Sequence, residues 1–249
     1  MIAKRIATLL LRSGVELPLW LTYDFARWAT LRTILRQSRI NCVIDVGANR
    51  GQFASTLRDV GFTGRIISFE PAPLDFAILS DRFSRDRMWR GVNCALGDRD
   101  GELPLNYLED STALSSFVGL KQSSRRARTI TVRVQRLDSI YRTILAGIES
   151  PRVFLKCDTQ GFDYEVVSGA EGVIENVLGI QSEVTVLSAY YENVRPYYQN
   201  LERYEQLGFR LMGMFGGGRY DIARCGSEYD CIMARIESFV ESRRENRRL

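Results

Sequence analysis

From Asn41 onward, short apolar runs alternate with segments whose apolar residues recur every three or four positions. The run at 42–46 reads as a strand buried on both faces, and 52–60 as a helix with Phe53, Leu57 and Val60 on one side. Gly61 and Gly64 bracket the turn that follows. A second strand at 65–69 stops at Glu70-Pro71, a second helix covers 74–83, and a third strand at 89–95 closes at Gly97. This alternation predicts parallel βαβ units in a doubly wound α/β sheet.

The middle of the chain breaks the rhythm. Residues 102–107 and 129–134 alternate polar and apolar, the pattern of strands with one wet face. They flank a Ser- and Arg-rich stretch, so 102–136 reads as a β insertion whose loop recognises an acceptor. The rhythm then returns: a buried strand at 152–157, a helix at 162–176 open to a break at Gly169 and Gly172, a strand at 179–187 and a helix at 194–207 ended by Gly208. Segments 209–215 and 229–234 suit an antiparallel pair at the sheet edge. The expected organisation is an N-terminal helical segment at 1–40, a central domain at 41–236 and a charged tail at 237–249.

At 249 residues the chain suits one sizeable domain. The net charge of +4 is too small to argue for nucleic acid, and Arg125, Arg126, Arg128 and Arg243, Arg244, Arg247, Arg248 read as solvated surface. Five cysteines without a CxxC pair suit reduced, buried thiols in a cytoplasmic protein. No stretch approaches the roughly 18 apolar residues of a spanning helix. Ile2, Ile6, Leu9 and Leu10 recur at helical spacing beside Lys4, Arg5 and Arg12. That helix either packs on the domain or makes a peripheral membrane contact. Histidine is absent, which excludes Ser-His-Asp and Cys-His systems and histidine-based metal sites. A general base must therefore be a carboxylate, Lys, Tyr or Cys.

Ligands of open α/β sheets bind beyond the carboxyl ends of the strands. That places Asp45 to Gly51, Glu70-Pro71, Asn93 to Leu96 and Asp158 to Gly161 on one rim. Gly47 and Gly51 lack a Cβ and let a ligand approach the backbone. Glu70, about 20 residues after the first glycine, is placed to accept from both ribose hydroxyls of an adenosine. The spacing Gly47-Ala48-Asn49-Arg50-Gly51 is not GxGxxG, and no GK[ST] follows, which disfavours NAD and ATP. Asp45 at the strand tip would repel a pyrophosphate and favour a cation. S-adenosylmethionine, a sulfonium with an adenosine and no phosphate, fits that set.

The segments VIDVGANRGQF, ISFEP and FLKCDTQGFDYEVVSGA, with IQSEVT downstream, resemble the FkbM family of S-adenosylmethionine-dependent methyltransferases over about 42–234. The Lys-x-Asp-x-x-Gly block at Lys156 to Gly161, followed by Glu183, is the more specific part. The resemblance implies a Rossmann-like sheet and an O-methyltransferase acting on a hydroxyl of a sugar, glycolipid, polysaccharide or related natural product. Asp163 stands where the family commonly has Glu. Asp158 is the candidate base or acceptor anchor. Lys156, on the same side of the strand, would hold Asp158 ionised or orient substrate, and Glu183 would face the same pocket. A structural Lys156–Glu183 ion pair, or a divalent metal on Asp158 and Glu183, stays open. Gly47 and Asn49 are expected at the methionine end of the cofactor, and Asn93, Ala95 and Leu96 at the adenine. Ser115, Ser116, Tyr190 and Tyr191 are expected at the acceptor. A catalytically silent cofactor-binding subunit and a nicotinamide oxidoreductase remain as alternatives.

Overall fold

The computed structural model describes residues 8–9, 12–14, 19–119, 127–187, 191–216 and 228–239. The first long element, α1, spans Leu19–Gln37. The expected amphipathic stretch around Ile2, Ile6 and Leu10 lies outside the described residues, as does Tyr190.

Strands β1 (Cys42–Val46), β2 (Arg65–Phe69) and β3 (Trp89–Val92) alternate with helices α2 (Gln52–Asp59) and α3 (Pro73–Arg82). Then come β4 (Ala95–Leu96), β5 (Gly101–Leu108), β6 (Ala127–Gln135), α4 (Leu137–Ile144) and β7 (Val153–Cys157). The chain closes with α5 (Asp163–Ser168), β8 (Val177–Thr185), α6 (Tyr197–Gln206), β9 (Arg210–Gly216) and β10 (Glu228–Ala234). The main sheet has the order β3-β2-β1-β7-β8-β10-β9. Its first five strands are parallel and β10 is antiparallel to both neighbours.

Every residue of β1 and β7 is buried, as an interior parallel strand covered on both faces requires. On one face Val43, Ile66, Phe154 and Ile232 pack under Leu31 and Ile34 of α1, Leu57 of α2 and Leu79 of α3. On the other, Ile44, Leu155 and Ile180 pack under Leu137 of α4, Val166 of α5 and Tyr204 of α6.

The run at 89–95 divides, because Asn93 Nδ2 bonds the carbonyls of Glu70 and Pro71 (2.8 and 3.1 Å) and the next residues leave the sheet. Ala95–Leu96 instead joins β5 and β6 in a second sheet of order β4-β6-β5, which builds the insertion. The helix after Phe162 stops at Ser168. A Cβ on Gly169 would lie 1.8 Å from the Gly97 carbonyl oxygen, and a 3-10 turn at Glu171–Asn176 follows. Helix α6 starts only after Pro196, whose extended conformation caps it. Helix α4 had no counterpart in the sequence reading, although Leu137, Tyr141 and Ile144 form its buried stripe.

Candidate active site

Strands β1, β2 and β7 end side by side, and their outgoing turns meet at one rim. A cavity there is lined by Gly47, Asn49, Glu70, Ala95, Leu96 and Asp158, with Thr112, Ser115 and Phe117 of the insertion above them. It measures about 50 Å³, well under the roughly 300 Å³ or more of small-molecule pockets. The strap at Thr112–Phe117 forms one wall of this narrow space.

The first turn is held by the protein itself. Gly47 (φ 71°), Asn49 (φ 48°) and Gly51 (φ 84°) are left-handed, which glycine and, among side-chain residues, asparagine tolerate best. Glu70 is buried. Its Oε2 accepts the Asn49 N–H and its Oε1 the Ala72 N–H, both at 2.8 Å. Desolvation pushes the Glu70 carboxyl up to about 7 against those two donors. Asn49 Nδ2 donates to Thr112 Oγ1 of the strap at 3.0 Å.

The bare glycines serve packing. A Cβ on Gly47 would sit 2.0 Å from the Asp158 carbonyl oxygen, and one on Gly51 would sit 2.5 Å from the Phe83 ring. Gly47 lines the cavity, and its missing Cβ also makes room for the neighbouring turn, whereas Gly51 seats α2 on α3 and is not among the cavity's lining residues.

Asp45 requires a larger correction. Its register places it beside Ser68 and Lys156, on the face covered by α1 and α2. It is fully buried, 3.1 Å from Lys156 Nζ, and accepts from Ser68 Oγ at 3.3 Å. A carboxylate so compensated presents no bare charge at the rim, so it does not choose between a cation and a phosphate. Lys156 also donates to the carbonyls of Gly47 (3.2 Å) and Val46 (3.4 Å), lies 5.3 Å from the Phe53 ring centre and 3.5 Å from Asp158 Oδ2. Desolvation alone would lower its pKa, but Asp45 and Asp158 outweigh it and hold the ammonium above its ordinary value. The Lys156–Glu183 pair left open by the sequence is a Lys156–Asp45 pair.

Asp158 keeps 39% of its side chain exposed. Its Oδ1 accepts Gln160 Nε2 at 2.9 Å, and the same amide donates to Glu183 Oε2 at 2.7 Å. An amide donor thus sits between the two carboxylates, where a shared divalent ion would have to go. Among the described residues no cluster of His, Cys, Asp or Glu could hold a metal. Desolvation, then Asp158, Glu228 and Asp230, push Glu183 well above the ordinary carboxylate range. Asp163, in the place of the family's Glu, caps this corner: it accepts from Thr159 N, Thr159 Oγ1, Ser182 Oγ and Glu183 N.

Pro71, Ala95 and Leu96 line the cavity, whereas Asn93 pins the end of β2 and is not among its lining residues. Ser115 lines the cavity and its Oγ accepts the Leu108 N–H. Ser116 is fully buried and donates to the Gln160 carbonyl at 2.6 Å, so it faces protein rather than an acceptor. Tyr191 is likewise buried, its hydroxyl 2.7 Å from Gln160 Oε1 and 3.0 Å from the Leu114 carbonyl. The sequence put Gln160 on the rim within Asp158 to Gly161, and Thr112 and Phe117 in the insertion, without a role for any of the three. The left-handed backbone at Gln160 (φ 55°) and Gly161 (φ 92°) is visible only in the fold.

The family model described as the Methyltransferase FkbM domain matches residues 45–211, and the chain belongs to that family. The Methyltransferase sdnD of Sordaria araneosa is 26% identical over 156 residues, which cover 52% of this chain and 60% of that protein. The 31-O-demethyl-FK506 methyltransferase FkbM of Streptomyces tacrolimicus is 38% identical over 78 residues, 30% of this chain and 29% of that protein. The matches thus span less than two thirds of either relative. Among solved structures, Aeropyrum pernix fibrillarin is 15% identical with a TM-score of 0.45, covering 92% of this chain and 74% of that one. Precorrin-6y C5,15-methyltransferase of Geobacter metallireducens is 13% identical with a TM-score of 0.42, covering 81% and 85%. These structural likenesses are too remote to bear on function.

Proposed function

We propose that the chain is an S-adenosylmethionine-dependent O-methyltransferase acting on a neutral hydroxyl-bearing acceptor, of the class of sugars, glycolipids, polysaccharides or related natural products. The observation that carries this reading, beside family membership, is the cavity's wall. It holds two carboxylates, Glu70 and Asp158, apolar Ala95, Leu96, Leu105 and Phe117, and no Lys or Arg side chain among its described lining residues. Such a wall suits a cation with ribose hydroxyls and an adenine, and gives a pyrophosphate nothing to bind. The name of the Streptomyces tacrolimicus relative points to oxygen as the acceptor atom.

When bound, the cofactor supplies a methyl group on a sulfonium leaving group. Glu70 and Asn49 would hold its ribose and amino-acid portions, and Ala95 and Leu96 its adenine. Asp158 combines partial exposure with lone pairs beyond those Gln160 occupies, and takes the acceptor's hydroxyl proton. Glu183, whose carboxyl burial and the neighbouring acids push upward, accepts from Gln160 Nε2 and orients that amide. Holding the oxygen in line is worth several kcal/mol of barrier, on the order of what positioning contributes elsewhere.

Titration calorimetry with S-adenosylmethionine and with NAD tests the cofactor, and methyl transfer to crude glycolipids and polysaccharides tests the acceptor. Asp158→Ala should lower turnover by about 10²-fold or more while keeping cofactor affinity. NAD binding without S-adenosylmethionine binding sinks the assignment. Tight cofactor binding without transfer to any hydroxyl acceptor would point to the silent subunit.

A further inference from the structure

We infer that Gln160 is a positioning residue that latches the Thr112–Phe117 strap to the Asp158–Glu183 pair, so that closure over the cavity and placement of the base are one event. The inference rests on the reading of the cavity as the cofactor site and of Asp158 as the base.

Gln160 is buried, and its side chain is engaged at both ends. Nε2 donates to Asp158 Oδ1 and Glu183 Oε2. Oε1 accepts the Tyr191 hydroxyl, which also lies within hydrogen-bond distance of the Leu114 carbonyl in the strap. Its backbone carbonyl accepts Ser116 Oγ, and Ser116 is tied to Asn106 of β5 by two backbone hydrogen bonds (2.9 and 3.1 Å). One residue thus carries contacts to the strap on one side and to two carboxylates on the other.

The carboxamide meets both demands, whereas an ionised carboxylate lacks the donor and an ammonium lacks the acceptor. With the strap in this position the cavity measures about 50 Å³, and the latch has the strap open for cofactor entry, with Leu114 and Ser116 moving away from Tyr191 and Gln160. Lifting the strap parts Ser116 from the Gln160 carbonyl and Leu114 from the Tyr191 hydroxyl, so the residue that bridges the two carboxylates loses restraint at its backbone and, through Tyr191, at its amide. Closure restores it. Linkage requires the coupling to act in both directions.

The test uses the full chain. Amide-exchange protection factors are measured without ligand at pH 5 and pH 8, together with the dissociation rate of S-adenosylmethionine. Gln160→Ala keeps the backbone carbonyl under Ser116 but removes the partner of Tyr191, so it should lower protection at the strap amides of Leu114 and Ser115 about tenfold and speed dissociation by a similar factor, the size expected from losing one or two net hydrogen bonds. Amides of β7 should be unchanged. Gln160→Glu should resemble Gln160→Ala at pH 8 and recover toward the parent at pH 5, where its protonated carboxyl can donate again. Asp158→Leu should loosen the strap, whereas Asp158→Asn, which keeps the accepting oxygen, should not. Unchanged strap protection in Gln160→Ala, or a Gln160→Glu variant without pH dependence, overturns the latch. Failure of the parent protein to bind S-adenosylmethionine would instead overturn the cofactor reading, and the exchange measurements would still decide the latch.

Discussion

Asp45 and Asp158 lie at the ends of neighbouring strands, and Lys156 touches both. Asp45 is sealed beneath α1 and α2 with an ammonium and a hydroxyl, while Asp158 stands one turn further out, partly exposed and sharing an amide donor. The two acids look alike in a motif scan and differ in what surrounds them. A buried carboxylate paired with a buried ammonium contributes architecture. A carboxylate with lone pairs to spare is available for chemistry.

The largest effect should come from breaking the sealed side. Lys156→Met leaves Asp45 buried without its cation and should cost about 3–5 kcal/mol of stability, read by chemical denaturation. Combining it with Asp45→Asn should return much of that loss, because the two sites act as one pair. If the double variant is no better than the single one, Lys156 matters chiefly through the Val46 and Gly47 carbonyls.

A smaller effect concerns pH. Burial raises the carboxyls of Glu70 (to about 7) and Asp163 (to about 6), and Glu183 and Asp230 move the same way. An acid whose folded pKa is raised contributes stability at low pH that is lost as pH rises through the folded value. The melting temperature should therefore be higher at pH 5 than at pH 8, with Glu70 alone accounting for on the order of 1–3 kcal/mol. A melting temperature that climbs over this range would mean that these acids are ionised in the folded protein. The smallest effect is expected for Asn93→Ala, which removes two donations that hold the end of β2 and should cost about 1 kcal/mol without altering turnover.

The periodic alternation of apolar runs determined the parallel strands, the β insertion, the antiparallel edge pair and every helix of the sheet but α4, because burial on two faces writes itself into consecutive residues. The blocks around Gly47 and Lys156 likewise sufficed to point to the family. What sequence could not assign was the employment of each polar residue within those blocks. Asp45, Gly51, Asn93 and Ser116 were expected at a ligand and turn to protein instead. Gln160 was given no role and lies at the centre of the site. Strand register decides which of two adjacent polar residues goes beneath a helix and which reaches the rim. Hydrogen-bond partners more than forty residues away decide whether its lone pairs are already taken. Both are properties of the packed sheet, and local sequence carries no record of them.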